Sequence, residues 1–264
     1  RRGLREGLGR VRSAVTSSAA ATRSSAPPPS GDAAAAQAAF YDAHAEEYDA
    51  LIAAEDHAGA LLQALLAIGR IDDAVVADVG AGTGRFARLV TGRAAHVHLV
   101  DRSEAMLAVA RRKLRKLASV PFSIHVSDVR ALPLSSKSVH FAIAGWVFGH
   151  FPHWMGEGWA EEVDQAIAEM LRVTRPGGKI VVVETLGTGV TAPREHPLLD
   201  AYFARLEDRH GMTRQVIRTD YAFGDVETAA TTLGAFFGAD MAATVRREGW
   251  ARVPEHTAVF SRSA

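Results

Sequence analysis

Apolar and polar positions alternate in blocks from residue 33 onward, and the block lengths predict strands and helices in turn. Short apolar runs of strand length occur at 74–79, 96–100, 122–126, 139–145 and 179–184. Apolar residues at helical spacing occupy 33–54, 57–69, 85–92, 103–118 and 161–174. Strands that alternate with helices across short turns predict a parallel sheet with helices on both faces.

The stretch 185–240 departs from this alternation. It holds two helical segments, at 197–210 and 225–238, where a single crossover helix would suffice. We interpret it as a helical insertion after the fifth strand. Beyond it, 243–248 and 256–261 have strand-like patterns, which predicts an antiparallel hairpin at the end of the domain. The fold class expected is therefore a doubly wound α/β fold with a mostly parallel sheet.

Composition narrows the possible functions. The 264 residues include no cysteine, which excludes disulfides, thiolate metal sites and cysteine nucleophiles. No apolar run reaches the ~18 residues that a transmembrane helix needs. These features predict a soluble, cytoplasmic protein. The 30 basic and 30 acidic residues balance, but 1–31 contains six arginines and one glutamate. The remainder is mildly acidic, which disfavours a nucleic-acid partner.

Residues 1–31 differ from the rest of the chain. They are rich in arginine, serine and alanine, and they end in a proline-rich stretch, 26–31. Arginine-rich, acid-poor amphipathic starts are typical of organelle transit peptides, and would imply a mitochondrial or plastid location. A disordered leader is the alternative. Either way, 32–264 is expected to form the folded domain, with 185–240 covering the substrate.

A glycine-rich loop follows the first predicted strand. Glycines stand at every second position, Gly80, Gly82 and Gly84, and a helix follows. Such a loop lets the backbone turn tightly and approach a nucleotide at the carboxyl end of a parallel strand. The spacing is one residue short of the dinucleotide fingerprint, and no Gly-Lys-Ser/Thr follows as in a P-loop. Asp78 would suit a cationic amino group and repel a pyrophosphate.

An acid also ends the second predicted strand. Asp101 lies 17 residues beyond Gly84, where a carboxylate can accept hydrogen bonds from both hydroxyls of a ribose. Each acid alone could simply cap a helix or a turn. Together with the loop, they favour an adenosine-containing ligand with a cationic group.

At this point the chain resembles the class I S-adenosylmethionine-dependent methyltransferases. The resemblance spans roughly 40–184. It rests on the glycine loop 76–84, Asp101, the Ser127–Asp128–Val129 segment, the Leu132–Pro133–Leu134 turn and the Arg-Pro-Gly-Gly turn at 175–178. It implies a seven-stranded sheet, S-adenosylmethionine as cofactor and S-adenosylhomocysteine as product. One departure is His140, where the family often has a structural acid.

The resemblance also implies roles for individual residues. Asp78 would face the methionine ammonium, Asp101 the ribose and Asp128 the adenine amine. Tyr41 and Tyr48 resemble a lid segment over the cofactor. The remaining expected cofactor-binding residues are Gly80, Ala81, Gly82, Gly84, Arg102, Met106, Val129 and Gly145. Met106 could instead belong only to the core.

The acceptor side is less specific in sequence. The segment 145–154 is aromatic and contains His150, the candidate general base because histidine titrates near neutral pH. A histidine that only bonds to backbone is the alternative, and no metal site is expected. The basic run 111–116 is interpreted as a solvated helix face. An Asp/Asn-Pro-Pro-aromatic stretch and a cysteine nucleophile, which nucleic-acid methyltransferases use, are both missing.

The function expected is methyl transfer to a small-molecule acceptor. A non-catalytic interaction module with the same fold, and a protein or RNA methyltransferase, are the alternatives. The sequence does not indicate an oligomeric state.

Overall fold

A seven-stranded sheet organises the fold in the computed structural model, which describes residues 39, 43–117 and 121–264. Its strand order is β3-β2-β1-β4-β5-β9-β6. The strands, including a separate pair β7–β8, are β1 (Val75–Val79), β2 (His96–Asp101), β3 (Phe122–Val126), β4 (Val139–Gly145), β5 (Thr174–Thr188), β6 (Thr213–Arg218), β7 (Tyr221–Ala222), β8 (Arg252–Val253) and β9 (Glu255–Ser263).

Nine α-helices in the described ranges connect and cover these strands. They are α1 (Ala45–Ala53), α2 (Ala60–Ile68), α3 (Arg85–Leu89), α4 (Glu104–Leu117), α5 (Phe151–Trp154), α6 (Trp159–Val173), α7 (Pro197–Ala204), α8 (Val226–Phe237) and α9 (Ala239–Glu248). Within the described part of the chain, no helix is long and apolar enough to span a membrane. The predicted leader, 1–31, lies outside the described residues.

The first five strands are parallel, as predicted, because helices bury both of their faces. β1 alternates between two cores: Ala77 packs on one side of the sheet and Val76 on the other. α6 buries residues at helical spacing against the first core. His140, the departure from the family pattern, accepts a 3.0 Å hydrogen bond from the amide of Val75. It therefore joins β4 to β1 as a structural acceptor.

The antiparallel end of the sheet differs in detail from the prediction. β9 pairs with β5 and with β6, and β6 lies inside the predicted insertion 185–240. The predicted strand at 243–248 is wrong, because these residues belong to α9. Val245 is the buried residue of this helix, and Met241 and Ala242 pack beside it. Both helices expected within 185–240 are present, as α7 and α8.

A third, smaller core lies beside the sheet. α8, α9 and the β7–β8 pair enclose it, and Leu51 of α1 packs into it. Asp225 starts α8 by accepting a 2.7 Å hydrogen bond from the amide of Thr228. This core supports α1, which lies across the edge of the sheet where β1 and β2 end.

Candidate functional site

A cleft opens at the carboxyl ends of β1, β2 and β4. The chain leaves β1 toward β2 on one side and β4 lies on the other, so this is the point where an open α/β sheet binds ligands. Most of the predicted site residues line it: Tyr48, Asp78, Gly80, Ala81, Gly82, Asp101, Arg102, Met106, Asp128, Val129, Gly145 and His150. Tyr41 lies outside the described residues.

The glycine loop forms the floor of the cleft. Gly80 and Gly82 have φ of 69° and 52°, in the left-handed region that favours glycine. A Cβ at Gly80 would lie 2.4 Å from Cγ2 of Val147, so this position admits no side chain. A Cβ at Gly82 would approach only the Cε of Met106, at 3.5 Å. Gly82 therefore presents its open side to the cleft.

Gly84 does not line the cleft. It also has a positive φ, 83°, and it precedes α3 as its N-cap. A Cβ there would lie 3.1 Å from the Cβ of Ala110 on α4. Its place in the loop is thus explained by close packing of two helices and by the turn itself.

Asp101 joins the end of β2 to the glycine loop. Its Oδ2 accepts a 2.8 Å hydrogen bond from the amide of Gly82, and its Oδ1 accepts one of 2.9 Å from Ser103. Burial raises the pKa of Asp101 above its ordinary value. Each carboxylate oxygen can accept more than one hydrogen bond, so both keep capacity for a ligand in the cleft.

Asp78 lies deepest among the acids of the cleft and is 1% exposed. Its Oδ2 accepts a 2.9 Å hydrogen bond from the amide of Ala87, in the first turns of α3. Burial, and to a lesser degree the nearby Asp101, raise the pKa of Asp78 to about 8. A cation in the cleft would stabilise this carboxylate.

Asp128, after β3, is held by a residue that the sequence analysis missed. Arg130 donates to it from its amide, Nε and Nη2, at 2.8, 2.8 and 2.6 Å, and also pairs with Glu162. The hydrogen bonds from the Arg130 side chain lower the pKa of Asp128. The Asp-x-Arg spacing was a signal in the sequence, because it permits this local ring.

Part of the chain matches a known protein family. A family model described as a methyltransferase domain matches residues 77–182, from β1 to β5. This match contains Asp78, the glycine loop, Asp101 and Asp128. Residues 77–182 are therefore similar to a methyltransferase domain.

Two curated relatives and one solved structure illustrate the similarity. A malonyl-[acyl-carrier protein] O-methyltransferase of Methylococcus capsulatus is 32% identical over 53% of this chain and 48% of its own length. A ubiquinone/menaquinone biosynthesis C-methyltransferase of Shewanella pealeana is 38% identical over 41% of each chain. The chain thus spans about half, or less, of these relatives. The [4+2]-cyclase SpnF shares the fold, with a TM-score of 0.54 and 18% identity over 90% of this chain and 98% of its own.

Helix α1 covers the cleft. Tyr48 packs with Met106 in a small cluster, and its ring lies 6.3 Å from Phe236 of α8, edge to face. Asp49 pairs with Lys113 of α4, and a second ion pair joins Glu46 to Arg112. Part of the basic run 111–116 therefore holds α1 in place. Met106 is both cleft wall and core.

An unpredicted group closes the β4 side of the cleft. The guanidinium of Arg85 lies 4.1 Å from the ring centroid of Trp146 and donates a 2.7 Å hydrogen bond to Glu55. The Arg85 and Glu55 side chains are 11% and 4% exposed. Phe86 stacks near Trp146, with ring centroids 6.0 Å apart. Only the aromatic character of 145–154 hinted at this group, since Glu55 and Arg85 are 30 residues apart.

His150 lines the cleft, but its titration differs from the expectation of a near-neutral pKa. Burial, together with His153 and Arg102, lowers the pKa of His150 to about 4. A ring N–H donates to the backbone of Trp146. The imidazole is therefore neutral at physiological pH, and its other ring nitrogen carries a lone pair.

Residues 185–240 contribute no described side chain to the lining of the cleft. Two residues of this segment contact Glu55, the ion-pair partner of the lining residue Arg85. The hydroxyl of Thr219 donates a 3.3 Å hydrogen bond to Glu55, and Tyr221 also bonds to it. In the described ranges, no group of three or more His, Asp or Glu side chains is arranged to hold a metal ion. The role of 185–240 as a substrate cover stays a prediction.

Proposed function

We propose that this chain transfers a methyl group from S-adenosylmethionine to a small-molecule acceptor. The observation that carries the proposal is the convergence of three acids, from the ends of β1, β2 and β3, around an open glycine loop. Asp78, Asp101 and Asp128 all line one cleft. Their order follows the order of the strands, which matches an extended ligand lying across the sheet edge.

The residues present fit this cofactor. Asp78 is a buried carboxylate with a raised pKa, so the ammonium of a methionine group would relieve its desolvation. Asp101 keeps acceptor capacity on both oxygens for the ribose hydroxyls. Asp128 is ionised and oriented by Arg130, ready to accept from the adenine amine. Gly82 leaves space where a side chain would intrude.

The chemistry divides between cofactor and chain. When bound, S-adenosylmethionine supplies a methyl group on a cationic sulfur, and the sulfur leaves as a neutral thioether. The chain's own residues align the two reactants, which is the main requirement of an in-line displacement. Tyr48 and α1 exclude water from above. His150, neutral and with one nitrogen fixed by its bond to the Trp146 backbone, can accept a proton from the acceptor.

The identity of the acceptor is not fixed by similarity. The names of the two relatives describe O-methylation of a malonyl group on a carrier protein and C-methylation in quinone biosynthesis. The family match ends at residue 182, so it does not cover the segment 185–240. The fold also occurs in a protein named as a [4+2]-cyclase, so the fold alone does not identify the reaction. The small-molecule class is supported by the largely apolar walls of the cleft and by helix α1, which covers it.

Calorimetry on the full chain tests the proposal, with S-adenosylmethionine, S-adenosylhomocysteine and NAD as ligands. We expect the two adenosyl ligands to bind and NAD not to bind. Asp101→Ala should weaken binding by ~1–3 kcal/mol, the cost of lost hydrogen bonds to a charged group. Asp240→Ala, at an exposed position of α9, is the matched control. A folded chain that binds neither adenosyl ligand would overturn the assignment.

A further inference from the structure

Charge is distributed unevenly along the cleft. The acids Asp128, Asp101 and Asp78 lie at the ends of β3, β2 and β1, which are neighbours in that order. The rest of the lining is largely apolar and includes Tyr48, Ile52, Phe86, Trp146, Phe151 and Met155. We name these six residues the aromatic end. If the adenosyl cofactor occupies the acidic side, the acceptor must enter at this end.

The arginine beside the aromatic end, Arg85, already has a carboxylate partner. Arg85 pairs with Glu55 at 2.7 Å, and its guanidinium carbon lies 4.1 Å from the ring centroid of Trp146. Both partners of the ion pair are about nine-tenths buried. An acceptor carboxylate or phosphate would have to displace Glu55 to reach this guanidinium. Arg102 also lines the cleft, and its charge acts on Asp101 and Asp128 as well as on His150. An anionic acceptor packed among the aromatic end would lose its hydration against apolar walls.

Trp146 has a strained backbone at the point where β4 ends. Its φ is 56°, in the left-handed region that costs a bulky residue ~1–2 kcal/mol. Its amide donates a 2.7 Å hydrogen bond to the carbonyl of Val183, which fixes this conformation. Phe86 and Arg85 then fix the ring. Strain of this kind persists where the surrounding structure holds a side chain for a function.

We propose that the acceptor is an uncharged aromatic molecule with an ionisable hydroxyl, such as a phenol or hydroquinone, and that Trp146 sets this specificity. The inference rests on the proposed function and names the substrate class of the same site. The ring of the acceptor packs among the aromatic end. Its hydroxyl reaches His150. One ring nitrogen of His150 donates its hydrogen to the Trp146 backbone, and the other ring nitrogen carries the lone pair that faces the acceptor.

The transfer balances in one displacement. A lone pair on the acceptor oxygen forms the new O–C bond to the methyl carbon as the C–S bond breaks. The electron pair of that bond stays on sulfur, which becomes a neutral thioether. The acceptor oxygen becomes strongly acidic as the O–C bond forms, so its proton then passes to the ring nitrogen of His150 and on to water, and the chain returns to its starting state.

A pair of matched probes tests the substrate class. Para-propylphenol and propylhydroquinone are compared with the same two rings carrying a propanoate chain in place of propyl. Methyl transfer is measured by label from S-adenosylmethionine, and acceptor binding by calorimetry on the chain loaded with S-adenosylhomocysteine. We expect the uncharged members to bind and react at least tenfold better than the carboxylates.

The outcomes separate the two proposals. If no adenosyl ligand binds, the proposed function fails. If the adenosyl ligands bind but the carboxylates are preferred, or neither kind of ring binds or reacts, the substrate class is overturned while the cofactor assignment stands.

Variants at Trp146 test its role. Trp146→Phe keeps a ring, whereas Trp146→Asn suits a left-handed backbone but removes the ring. We expect Trp146→Asn to raise the KM for the uncharged acceptor more than tenfold and Trp146→Phe about threefold, while both bind S-adenosylhomocysteine like the parent. Met155→Lys places a cation at the aromatic end and should shift the ratio of kcat/KM toward the carboxylates. An unchanged ratio in Met155→Lys and an unchanged KM in Trp146→Asn would refute the specificity role.

Discussion

At the scale of single residues, two glycines allow a matched test of the cofactor loop. Gly82 and Gly92 both have positive φ, 52° and 83°, and a Cβ at either meets no close backbone atom. Alanine at either position should therefore cost similar strain, ~1 kcal/mol of stability. Only Gly82→Ala places its methyl group in the cleft.

We expect Gly82→Ala to weaken S-adenosylhomocysteine binding about tenfold or more, equivalent to ~1.4 kcal/mol, and Gly92→Ala to leave it unchanged. Calorimetry and urea unfolding on both variants measure the two effects separately. Equal affinities in the two variants would show that Gly82 does not face the ligand.

Asp78 gives a second prediction at this scale, on pH. Its pKa of about 8 means that the carboxylate is mostly protonated at neutral pH without ligand. A ligand ammonium binds the ionised form better, so affinity for S-adenosylhomocysteine should rise with pH up to about 8 and then level off. The slope is at most about tenfold per pH unit.

The Asp78→Asn variant should bind more weakly and lose this slope, because its amide cannot ionise. Calorimetry from pH 6 to pH 9 measures both curves. A parental curve that is flat, or that falls over this range, would contradict the role of Asp78.

At the scale of elements, the sequence predicted the parallel half of the fold better than the antiparallel half. Buried parallel strands such as β1 are continuous apolar runs that end at turns. Such runs can be recognised in the sequence without knowing which distant residues they contact. β6 is an edge strand with mostly exposed residues, so its sequence lacks the apolar run that predicts a buried strand. The segment 243–248 belongs to a short helix in which Val245 is the buried residue, and so few apolar positions do not reveal a helical period.

Some residues of the site were predicted from the sequence, and others were not. Asp78, Asp101 and the glycine loop are recognisable because backbone geometry and ligand chemistry fix their spacing. Arg85, Glu55 and Trp146 were missed because they form one group only through tertiary packing. No local pattern marks an ion pair between residues 30 positions apart.

The Glu55–Arg85 pair connects elements, and this gives a prediction about stability. Glu55 follows α1 and Arg85 begins α3, so the pair ties the covering helix to the glycine loop. Glu55→Gln leaves a buried guanidinium without its counter-charge, which should cost ~3–5 kcal/mol. The control is Glu227→Gln, which breaks a solvent-exposed pair with Arg246 and should change stability far less than Glu55→Gln.

Urea unfolding of both single variants and of Glu55→Gln combined with Arg85→Met measures these costs. We expect the double variant to be less destabilised than Glu55→Gln, because it no longer buries an unpaired charge. Additive losses would instead indicate that each side chain acts by its own packing.

At the scale of the whole molecule, buried ionisable groups make stability depend on pH. Burial raises the pKa of Asp78 and Glu255 to about 8 and that of Glu184 to about 7. Burial lowers the pKa of His98 and His150 to about 4. Below pH 6.5 the acids and the histidines oppose each other, because the unfolded histidines bind protons that the folded ones do not.

At pH 6.5 the histidines of the unfolded chain are still half protonated and oppose the acids weakly; above about pH 7.5 the acids act alone, so the sign is determined. The folded chain holds protons that the unfolded chain has lost, and its stability falls as pH rises through 7 to 8. We expect the free energy of unfolding without ligand to drop by about 2 kcal/mol or more between pH 6.5 and pH 8.5. Urea unfolding at several pH values measures it. Glu184→Gln, whose amide oxygen can still accept from Gly149 and Tyr202, should reduce the drop. Saturating S-adenosylhomocysteine should reduce it further, since its ammonium compensates Asp78. A stability that rises over this range would mean that these carboxyls are ionised in the folded chain, and the electrostatic basis of the cofactor site would have to be abandoned.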